Sequence, residues 1–403
     1  MTASYVVRAA HAFDGETFVP GGAQIQIEGG RIVAVRPAHA PIPHGLTVFD
    51  HPAATVLPGL IDTHVHLVAG DEPDALALDA HRDPAEREQV IRRSLLAQLR
   101  AGVTTVRDLG DHRFAVLERT VRDDEPAVIG AGPPITSVNG HCAALGGEAA
   151  GERALRAAVE ERYDRGATVI KMVVSGGAMT AGSDLLRLQF GVAEVRVVVA
   201  AAHRRGLPVT AHAHPVSAVR VCLAAGVDGI EHCTCLTATG IDTPDSIIEA
   251  LAARRVRVCP TFGRLPALPP SPQAVEVMRR TGMTLAARFA QVGRLYAAGV
   301  PVLAGSDAGI HPAKPHGVLP YAVEELTRSG LPVGAALRAA TSGAAEACGL
   351  AGTAGRLWPG LAADLVVVDG DAARDVLALT RVRRVILRGR PVVVTDAEPR
   401  SPS

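Results

Sequence analysis

The sequence predicts an α/β protein: a (β/α)8 TIM barrel with a small composite β-sandwich formed by the N- and C-terminal segments. Three observations support this prediction. Apolar strand candidates alternate with amphipathic helices through the middle of the chain, eight such strands can be counted, and both ends contain short strands only. Alternating strands and helices are typical of parallel sheets, and eight repeats favour a closed barrel.

The two ends of the chain are predicted to pair with each other. Residues 1–56 contain strand candidates at 5–10, 23–28 and 31–35, and residues 354–403 contain further candidates at 363–369, 381–389 and 391–394. Neither end is long enough to enclose a core alone, so one shared β-sandwich is expected. We expect residues 57–353 to form the barrel and residues 397–403 to fray.

The eight strand candidates of the barrel cover residues 55–67, 103–109, 127–135, 168–175, 207–213, 229–233, 257–262 and 301–308. Helices are predicted between most of them, for example over residues 86–101, 153–165, 192–205 and 216–225. Glycine follows these helices at 102, 166, 206 and 226, as helix C-caps commonly require. The Pro- and Leu-rich residues 264–271 are predicted to form a loop over the top of the barrel.

Composition excludes several classes of function. The 403-residue chain is 48% hydrophobic and formally neutral, so it can bury a large core and gives no charge argument for nucleic acid or an acidic membrane. No apolar run reaches the roughly 18 residues of a membrane span, and the start lacks a signal-peptide pattern. The spacing of the six cysteines fits no disulfide framework. We therefore expect a cytoplasmic protein with reduced thiols that binds neither nucleic acid nor membranes. We also expect a homo-oligomer that acts on a small-molecule substrate.

Polar side chains follow the strands at their C-terminal ends, which is where barrel enzymes keep their chemistry. His64 and His66 are two residues apart on the first strand, so both imidazoles point the same way and suit a transition metal such as zinc. Chance pairs of this kind are common. The position at a strand end is what favours a ligand pair.

The fourth and eighth strands end in Lys171 and Asp307. Lys171 lies among Val, Ile and Met, where it either snorkels, forms a salt bridge, or carries a carbamate made with carbon dioxide that can bridge two cations. Asp307 follows a Gly-Ser pair and is either a helix cap or a metal-bound carboxylate that takes the proton from an attacking water.

The fifth and sixth strands end in histidines. His212 ends an apolar strand and is predicted to be a metal ligand, whereas His214 precedes a proline and is predicted to be a pocket residue. His232 ends the sixth strand and is a further ligand candidate. Arg107 and Asp108, on the second strand, are predicted to form a structural ion pair rather than a substrate clamp.

Together these motifs resemble the amidohydrolase superfamily, in particular its Xaa-Pro dipeptidase-like and imidazolonepropionase-like branch. The resemblance extends over nearly the whole chain. It rests on the runs Val56-Leu-Pro-Gly-Leu-Ile-Asp-Thr-His-Val-His66, Gly102-Val-Thr-Thr-Val-Arg-Asp-Leu-Gly110, Gly166-Ala-Thr-Val-Ile-Lys171, Ser175-Gly-Gly, Ala211-His-Ala-His214, Ala225-Gly-Val-Asp-Gly-Ile-Glu-His232, Gly305-Ser-Asp307 and Gly355-Arg-Leu-Trp-Pro-Gly-Leu-Ala-Ala-Asp-Leu-Val-Val-Val368.

The resemblance implies a site with two divalent metal ions, expected to be Zn²⁺, with Mn, Fe or Co as alternatives. By this resemblance the first ion is bound by His64 and His66, a carboxylated Lys171 bridges both ions, and Asp307 binds metal and handles protons. The ligands of the second ion are His212 and His232.

The resemblance also assigns His141, in Val138-Asn-Gly-His-Cys142, to the substrate carbonyl or the oxyanion. The branch has Thr-Gly-Gly-His-Gly at this place, and glycine where this chain has Pro215 and Cys233, so the pocket is reshaped. His214 is a further candidate for substrate contact, and so are His311 and His316 in the loop after Asp307.

The predicted reaction is hydrolysis of an amide, peptide or cyclic-amide C–N bond by a metal-bridging hydroxide, with Asp307 as general base and acid. Lactone hydrolysis and ring deamination are alternatives within the superfamily. Deaminases of this superfamily often keep one metal and lack a bridging lysine, so Lys171 favours the two-metal hydrolases. A non-catalytic scaffold is the remote alternative; it predicts the loss of a ligand, whereas all six positions are filled.

Overall fold

The computed structural model describes residues 4–180 and 182–392, and strands and helices alternate along them. The strands are β1 (Tyr5–Phe13), β2 (Phe18–Val19), β3 (Ala23–Glu28), β4 (Arg31–Pro37), β5 (Thr47–Pro58), β6 (Leu60–Val65), β7 (Val103–Asp108), β8 (Ala127–Gly130), β9 (Ile170–Val173), β10 (Val209–Pro215), β11 (Gly229–Thr237), β12 (Gly240–Ile241), β13 (Arg257–Cys259), β14 (Leu365–Asp369), β15 (Val382–Leu387) and β16 (Arg390–Val392).

The α-helices are α1 (Ala75–Asp79), α2 (Pro84–Arg100), α3 (Gly151–Asp164), α4 (Val192–Arg204), α5 (Val216–Ala225), α6 (Asp245–Ala253), α7 (Pro272–Thr281), α8 (Leu285–Ala297), α9 (Leu319–Arg328), α10 (Val333–Ala339) and α11 (Ser342–Ala347). Short 3₁₀ helices span Ala143–Leu145 and Val376–Thr380. The predicted strand residues 393 and 394 and the predicted fraying of residues 397–403 lie outside the described residues.

The two ends of the chain meet in one eight-stranded sheet, with the order β16-β15-β14-β5-β1-β3-β4 and with β2 paired to β1. They join where β14 runs antiparallel to β5, so that Leu365 lies opposite Pro58 and Asp369 opposite Ala54. The predicted pairing of the chain ends is confirmed as a shared sheet. One core of this sheet combines residues from both ends: Val7, Ile25, Ile27, Val56, Leu365, Val367 and Ile386.

The middle of the chain forms two groups of parallel strands. One contains β6, β7 and β8, and the other contains β9, β10, β11 and β13, with the short antiparallel β12 beside β11. Isolated parallel bridges join residues at the borders of the two groups: Ile135 to Met172, Val258 to Val302, and Val65 to Ala308. Parallel strands place their C-terminal ends on one edge, so side chains from β6 through β13 can meet there.

Three predicted strands differ in continuity from the structure, and the first is 127–135, which forms β8 only as far as Gly130 and then a bridge at Ile135. The segment 55–67 is divided at Gly59 into β5, which belongs to the terminal sheet, and β6, which belongs to the parallel strands. The segment 301–308, all of it described, contributes bridges at Val302 and Ala308 rather than a continuous strand. Pro301 lacks the N–H that a ladder needs, which is one physical reason for the short pairing.

Helix α2 begins at a capping residue. At the start of α2, the Asp83 side chain accepts hydrogen bonds from the backbone N–H groups of Ala85 and Glu86, and Glu86 bonds back to Asp83. Its buried side chains Ile91, Leu95 and Leu99 are spaced four residues apart, so one face of α2 packs against the strands.

No helix within the described residues combines the length and apolar character needed to cross a lipid bilayer. All six cysteines are free thiols, as the spacing predicts.

Candidate metal centre

A cavity of about 230 Å³ opens at the C-terminal ends of the parallel strands. Its lining collects most of the site residues that the sequence predicts, and they come from β6, β9, β10, β11 and the loops that follow the strands. The polar side chains of the lining are His64, His66, His141, Lys171, His212, His214, His232, Arg264, Ser271, Asp307, His311 and Lys314.

His64, His66 and Asp307 form the first cluster of this cavity. His64 is in β6 and His66 follows the end of that strand, and their ring centroids are 5.3 Å apart. Residues 307 and 308 run beside β6, where the Asp307 N–H donates to the His64 carbonyl at 2.7 Å and the His66 N–H donates to the Ala308 carbonyl at 3.1 Å. Asp307 Oδ1 therefore lies 3.1 Å from His66 Nε2 and 3.5 Å from His64 Nε2.

Asp307 does not cap a helix, because the next helix, α9, begins only at Leu319 and has Val318 as its N-cap. Its backbone has a φ of 57°, a left-handed conformation that is uncommon for residues other than glycine. Such strained residues cluster at functional sites. The conformation turns the carboxylate toward the histidines of β6.

His212, His214 and His232 form the second cluster. One potential ligand atom from each lies within 4.8 Å of the others. The ring of His232 has its centroid 4.5 Å from that of His212 and 4.5 Å from that of His214. Both His212 and His214 belong to this cluster, so the assignment of His212 as ligand and His214 as pocket residue stays a prediction.

Lys171 adjoins the first cluster, with its Nζ atom 3.5 Å from His64 Nε2. The residue is only 3% exposed, so the snorkelling alternative is wrong. Burial lowers the pKa of the Lys171 ammonium and thus favours the uncharged amine.

Hydrogen bonds determine which nitrogen of His64 and of His232 carries the proton. His64 Nδ1 donates to the Glu231 carboxylate at 2.8 Å, which leaves the Nε2 lone pair for another partner. His232 Nδ1 lies 2.8 Å from Thr261 Oγ1. Because the Thr261 hydroxyl donates to the Pro260 carbonyl at 2.7 Å, its oxygen is left to accept from His232, whose Nε2 lone pair is then available.

The same reasoning applies to His212. Its Nε2 donates to the Gly176 carbonyl at 3.0 Å, and a carbonyl can only accept, so the lone pair of His212 is on Nδ1. In each of these three imidazoles one nitrogen is hydrogen-bonded within the protein, and the other has a lone pair available to a metal ion. This is the arrangement that a metal-binding histidine needs.

The charge states of the cavity suit cations. Burial lowers the pKa of His64 to about 4 and that of His214 to about 3, and it holds the pKa of both His212 and His232 well below the usual value. These rings are neutral at pH 7. Burial alone would raise the pKa of Asp307, but His64 and His66 outweigh that effect and hold it well below the usual range, so the carboxyl is ionised.

Glu231 is a residue of this site that sequence reasoning missed. Its carboxylate is 1% exposed and accepts from His64, from Thr210 Oγ1 at 2.6 Å and from Arg107 Nη2 at 3.0 Å. Burial raises the pKa of Glu231, but Arg107 and His64 together lower it well below the usual range. A carboxylate in an apolar strand needs such partners, and that requirement was the signal available in the sequence.

The predicted ion pair between Arg107 and Asp108 is wrong. Arg107 pairs with Glu231 and donates from Nε to the Thr63 carbonyl at 2.7 Å. Asp108 instead accepts the backbone N–H groups of Leu67 at 2.7 Å and Gly110 at 3.1 Å. Adjacent residues of a strand point to opposite faces, which is why they find different partners.

His141 comes from the loop after β8, and its ring centroid lies 4.9 Å from that of His212. Its Nδ1 is 2.8 Å from Thr180 Oγ1, and the same oxygen accepts the Cys142 N–H at 3.2 Å. A neutral His141 that accepts the Thr180 hydroxyl proton at Nδ1 carries its own ring proton on Nε2. The His141 side chain is then a neutral hydrogen-bond donor in the cavity.

Two glycines make room for these rings. A Cβ atom on Gly110 would lie 1.9 Å from His66 Nδ1, and a Cβ atom on Gly177 would lie 2.2 Å from His141 Nε2. Any larger residue at either position would displace the imidazole. This close packing explains why both motifs in the sequence end in glycine.

Comparison with known proteins identifies the family. Residues 55–392 match the model of the amidohydrolase family. The chain belongs to this family. It is therefore a metal-dependent hydrolase of carbon–nitrogen bonds, as the sequence predicts, and the predicted resemblance is confirmed.

Three relatives of this amidohydrolase show how widely the similarity extends. An uncharacterized protein of Mycobacterium tuberculosis (strain ATCC 25618 / H37Rv) is 31% identical over 371 residues, which is 91% of each chain. An ochratoxinase of Aspergillus niger is 28% identical over 236 residues, 50% of this chain and 48% of the relative. The solved structure of a prolidase complexed with N-methylphosphonate-L-proline has a TM-score of 0.82 and 25% identity, and covers 97% of this chain and 99% of that chain.

The donor set of the amidohydrolase fits divalent metal ions. The candidate groups are His64 with His66 and Asp307, His212 with His214 and His232, and His64 with Glu231 and Cys259. Neutral imidazoles and carboxylates suit Zn, Mn, Fe and Co alike. Because Glu231 already occupies Nδ1 of His64, the Nε2 lone pair of His64, 3.5 Å from Asp307 Oδ1, favours the group with His66 and Asp307.

Two of the predicted pocket residues separate in the structure. His311 lines the cavity, whereas His316 lies outside its lining, with Nε2 3.1 Å from the Ala69 carbonyl and Nδ1 3.4 Å from Gln98 Nε2. Lys314, which lies between these two residues in the sequence and was not predicted as a site residue, also lines the cavity. The turn that separates these residues has no periodic pattern in sequence, so their directions were not predictable.

Proposed function

We propose that this amidohydrolase cleaves an amide, peptide or cyclic-amide C–N bond with two divalent metal ions bound in the cavity. The observation that best supports the proposal is the pattern of histidine hydrogen bonds, which leaves one lone pair on each of His64, His212 and His232. The proposed ligands are His64, His66 and Asp307 for one ion, His212 and His232 for the other, and a carboxylated Lys171 between them.

The carboxylation of Lys171 is part of this proposal. The uncharged amine forms a C–N bond to carbon dioxide and releases a proton, and the product is an anionic carbamate. The buried position beside His64 supports this step, because burial disfavours the ammonium form. Growth and storage in ¹³C-bicarbonate should give a carbamate carbon signal in NMR spectra that is missing from Lys171→Met. Identical spectra of the two proteins would contradict the carboxylation.

Divalent ions held by these donors would lower the pKa of water and polarise the amide carbonyl. Asp307, ionised at neutral pH, is positioned to take the proton of the attacking water and to pass it to the leaving nitrogen. The Nε2 proton of His141 is available to the carbonyl oxygen as negative charge develops there. The Arg107–Glu231 pair holds His64 in orientation through Nδ1.

The test combines metal content with turnover. Protein reconstituted with Zn²⁺ or Mn²⁺ should bind two equivalents and hydrolyse members of a panel of Xaa-Pro dipeptides, N-acyl amino acids and lactams. Asp307→Asn should reduce kcat by at least about 10³-fold. Asp228→Asn is the matched control and should leave kcat unchanged, because Asp228 bonds His203 and the Val209 N–H at the N-terminal ends of β10 and β11, opposite the cavity. Failure of the wild type to bind metal, or an active Asp307→Asn, would contradict the proposal.

The choice of panel follows the relatives. Prolidase and ochratoxinase appear among the similar proteins, and this supports small-molecule amides as substrates. Lactones belong in the panel as the alternative chemistry. Rapid lactone cleavage without amide cleavage would show that the substrates are lactones rather than amides.

We also propose that the parallel strands close into a (β/α)8 barrel over residues 57–353 and that residues 1–56 and 354–403 form a composite β-sandwich. The isolated bridges at Ile135, Val302 and Ala308 support closure, because they lie where neighbouring strands of a barrel would meet. The mixed core of the terminal sheet supports the sandwich. A cytoplasmic location and a homo-oligomeric state stay predictions.

A further inference from the structure

A second chamber of about 460 Å³ adjoins the histidine-lined cavity. The two spaces have part of their walls in common, so the chamber lies directly beside the proposed metal ligands. The shared wall residues are His214, His232, Arg264, Pro270, Ala274 and Lys314.

Apolar side chains form most of the wall that belongs to the chamber alone. Leu236 comes from β11 and Phe262 from the loop after β13, while Val277, Met278 and Met283 come from α7 and the turn that follows it. The first turn of α7 is fixed by its N-cap, since Ser271 Oγ accepts the Ala274 N–H at 3.0 Å. The long connection between β13 and Pro301 thus builds a specific space beside the proposed metals.

Arg288 and Glu325, the charged side chains that line the chamber alone, bond to the backbone, whereas Arg264 and Lys314 belong to the wall shared with the first cavity. Arg288 donates to the carbonyls of Pro260 at 3.1 Å and Cys233 at 3.5 Å. Glu325 Oε2 accepts the Gly263 N–H at 2.7 Å. Because these polar groups already have partners, the surface that the chamber offers to a ligand is mainly apolar.

The distribution of methionine agrees with a binding function. The chain has only five methionines. Met278 and Met283 line the chamber, and Met179 lines the adjoining cavity. Methionine is flexible and polarisable and is used where a surface must adapt to varied apolar groups. Its concentration at this place indicates a ligand rather than ordinary core packing.

We propose that the chamber is the specificity subsite of this amidohydrolase and receives a bulky apolar group, aryl or branched alkyl, that the substrate carries next to the scissile amide. This inference rests on the proposed function, which defines the reaction whose substrate the chamber would receive. Each methylene that enters the chamber should raise kcat/KM about fourfold, from roughly 0.8 kcal/mol per buried CH₂. Substrates with small or charged substituents at this place are poor ones.

Turnover tests the specificity. Two homologous amide series are compared: N-acylglycines from acetyl to hexanoyl, and N-acetyl derivatives of glycine, alanine, valine, leucine and phenylalanine. In the series whose variable group enters the chamber, kcat/KM should rise with the apolar size of that group. Met278→Glu should flatten that rise. Val275→Glu is the control, because Val275 is on the same helix, is 49% exposed and is not part of the chamber wall.

Binding tests the chamber without any turnover. Metal-free protein is titrated with the fluorescent apolar probe N-phenyl-1-naphthylamine. Wild type and Val275→Glu should bind one equivalent with equal affinity, and Met278→Glu should bind at least tenfold more weakly. Met283→Glu, outside the helix, should repeat this loss and so separates a blocked chamber from a misfolded α7.

The outcomes of the two tests are distinct. If no amide is hydrolysed but probe binding depends on Met278 and Met283, the proposed function fails and the chamber stands as a ligand site. If amides are hydrolysed with no dependence on apolar size, or if the probe binds all variants alike or none, the chamber proposal is overturned.

Discussion

Replacing Glu231 by glutamine should weaken both folding and metal binding, by amounts that the structure allows to be separated. The carboxylate is buried and accepts from His64, Arg107 and Thr210. Glu231→Gln leaves the buried Arg107 guanidinium without a negative partner, and breaking a buried pair costs about 3–5 kcal/mol. Loss of the anionic partner of His64 should reduce metal affinity about 10- to 100-fold, or about 1.4–2.7 kcal/mol.

Two measurements separate these effects. Urea unfolding of the metal-free protein gives the change in the free energy of unfolding, and competition with a chromogenic chelator gives the change in metal affinity. Glu125→Gln is the matched control: Glu125 is 1% exposed and accepts from Arg92 at 2.9 Å and Arg119 at 2.7 Å, and it does not line the cavity. It should lose stability and keep wild-type metal affinity. The reasoning is refuted if Glu231→Gln binds metal within twofold of wild type.

Three further predictions follow from the same contacts. Burial lowers the pKa of His316 to about 4, so below pH 6.5 the unfolded chain binds a proton that the folded chain refuses. His316 alone should account for about 3 kcal/mol of the stability that is lost between pH 6.5 and 4, so in urea titrations His316→Gln should show a fall that is smaller by this amount. An equal fall in both proteins would contradict this assignment. Arg264 lines both cavities and uses one donor on the Leu268 carbonyl, so it should bind substrate carboxylates. Arg264→Gln should raise KM for carboxylate-bearing amides about tenfold or more and leave kcat within twofold. An unchanged KM would exclude the contact. Arg288→Met should lower the free energy of unfolding by at least about 2 kcal/mol, because buried carbonyls lose their hydrogen-bond donors at about 1–3 kcal/mol each. A thermal midpoint equal to that of wild type would show that water replaces the guanidinium.

Much of this site was predictable because parallel strands impose a simple rule. Residues two apart on a strand share a face, and the C-terminal ends of parallel strands meet, so His64, His66, Lys171 and His212 were expected to converge. The structure brings them into one cavity. Their roles as ligands stay predictions, since convergence alone does not bind an ion.

Glu231 shows where the rule ends. Neighbouring residues of a regular strand face opposite ways, yet Glu231 contacts His64 and His232 lines the same cavity. A φ of 64° at His232 breaks the alternation at that point. A left-handed residue other than glycine leaves no mark in the sequence pattern, because it is imposed by tertiary contacts.

The loops were the other source of error. His316 follows Asp307 by nine residues and was expected near the substrate, but the chain turns so that its ring bonds Ala69 and Gln98. Likewise the chamber under α7 depends on how a long connection folds over the strands. Neither helical nor strand periodicity reports the path of such segments.

The division at Gly59 has a consequence for the order in which the protein is made. The strand that carries His64 and His66 is the direct continuation of β5, and β5 needs β14 as its second neighbour, which is encoded about 300 residues later. During vectorial synthesis β5 therefore remains an open sheet edge until residue 369 has left the ribosome. His64 and His66, the first of the proposed metal ligands to be translated, are therefore among the last to be locked in place. Metal capture by a nascent chain, or by a chain truncated before β14, should be weak.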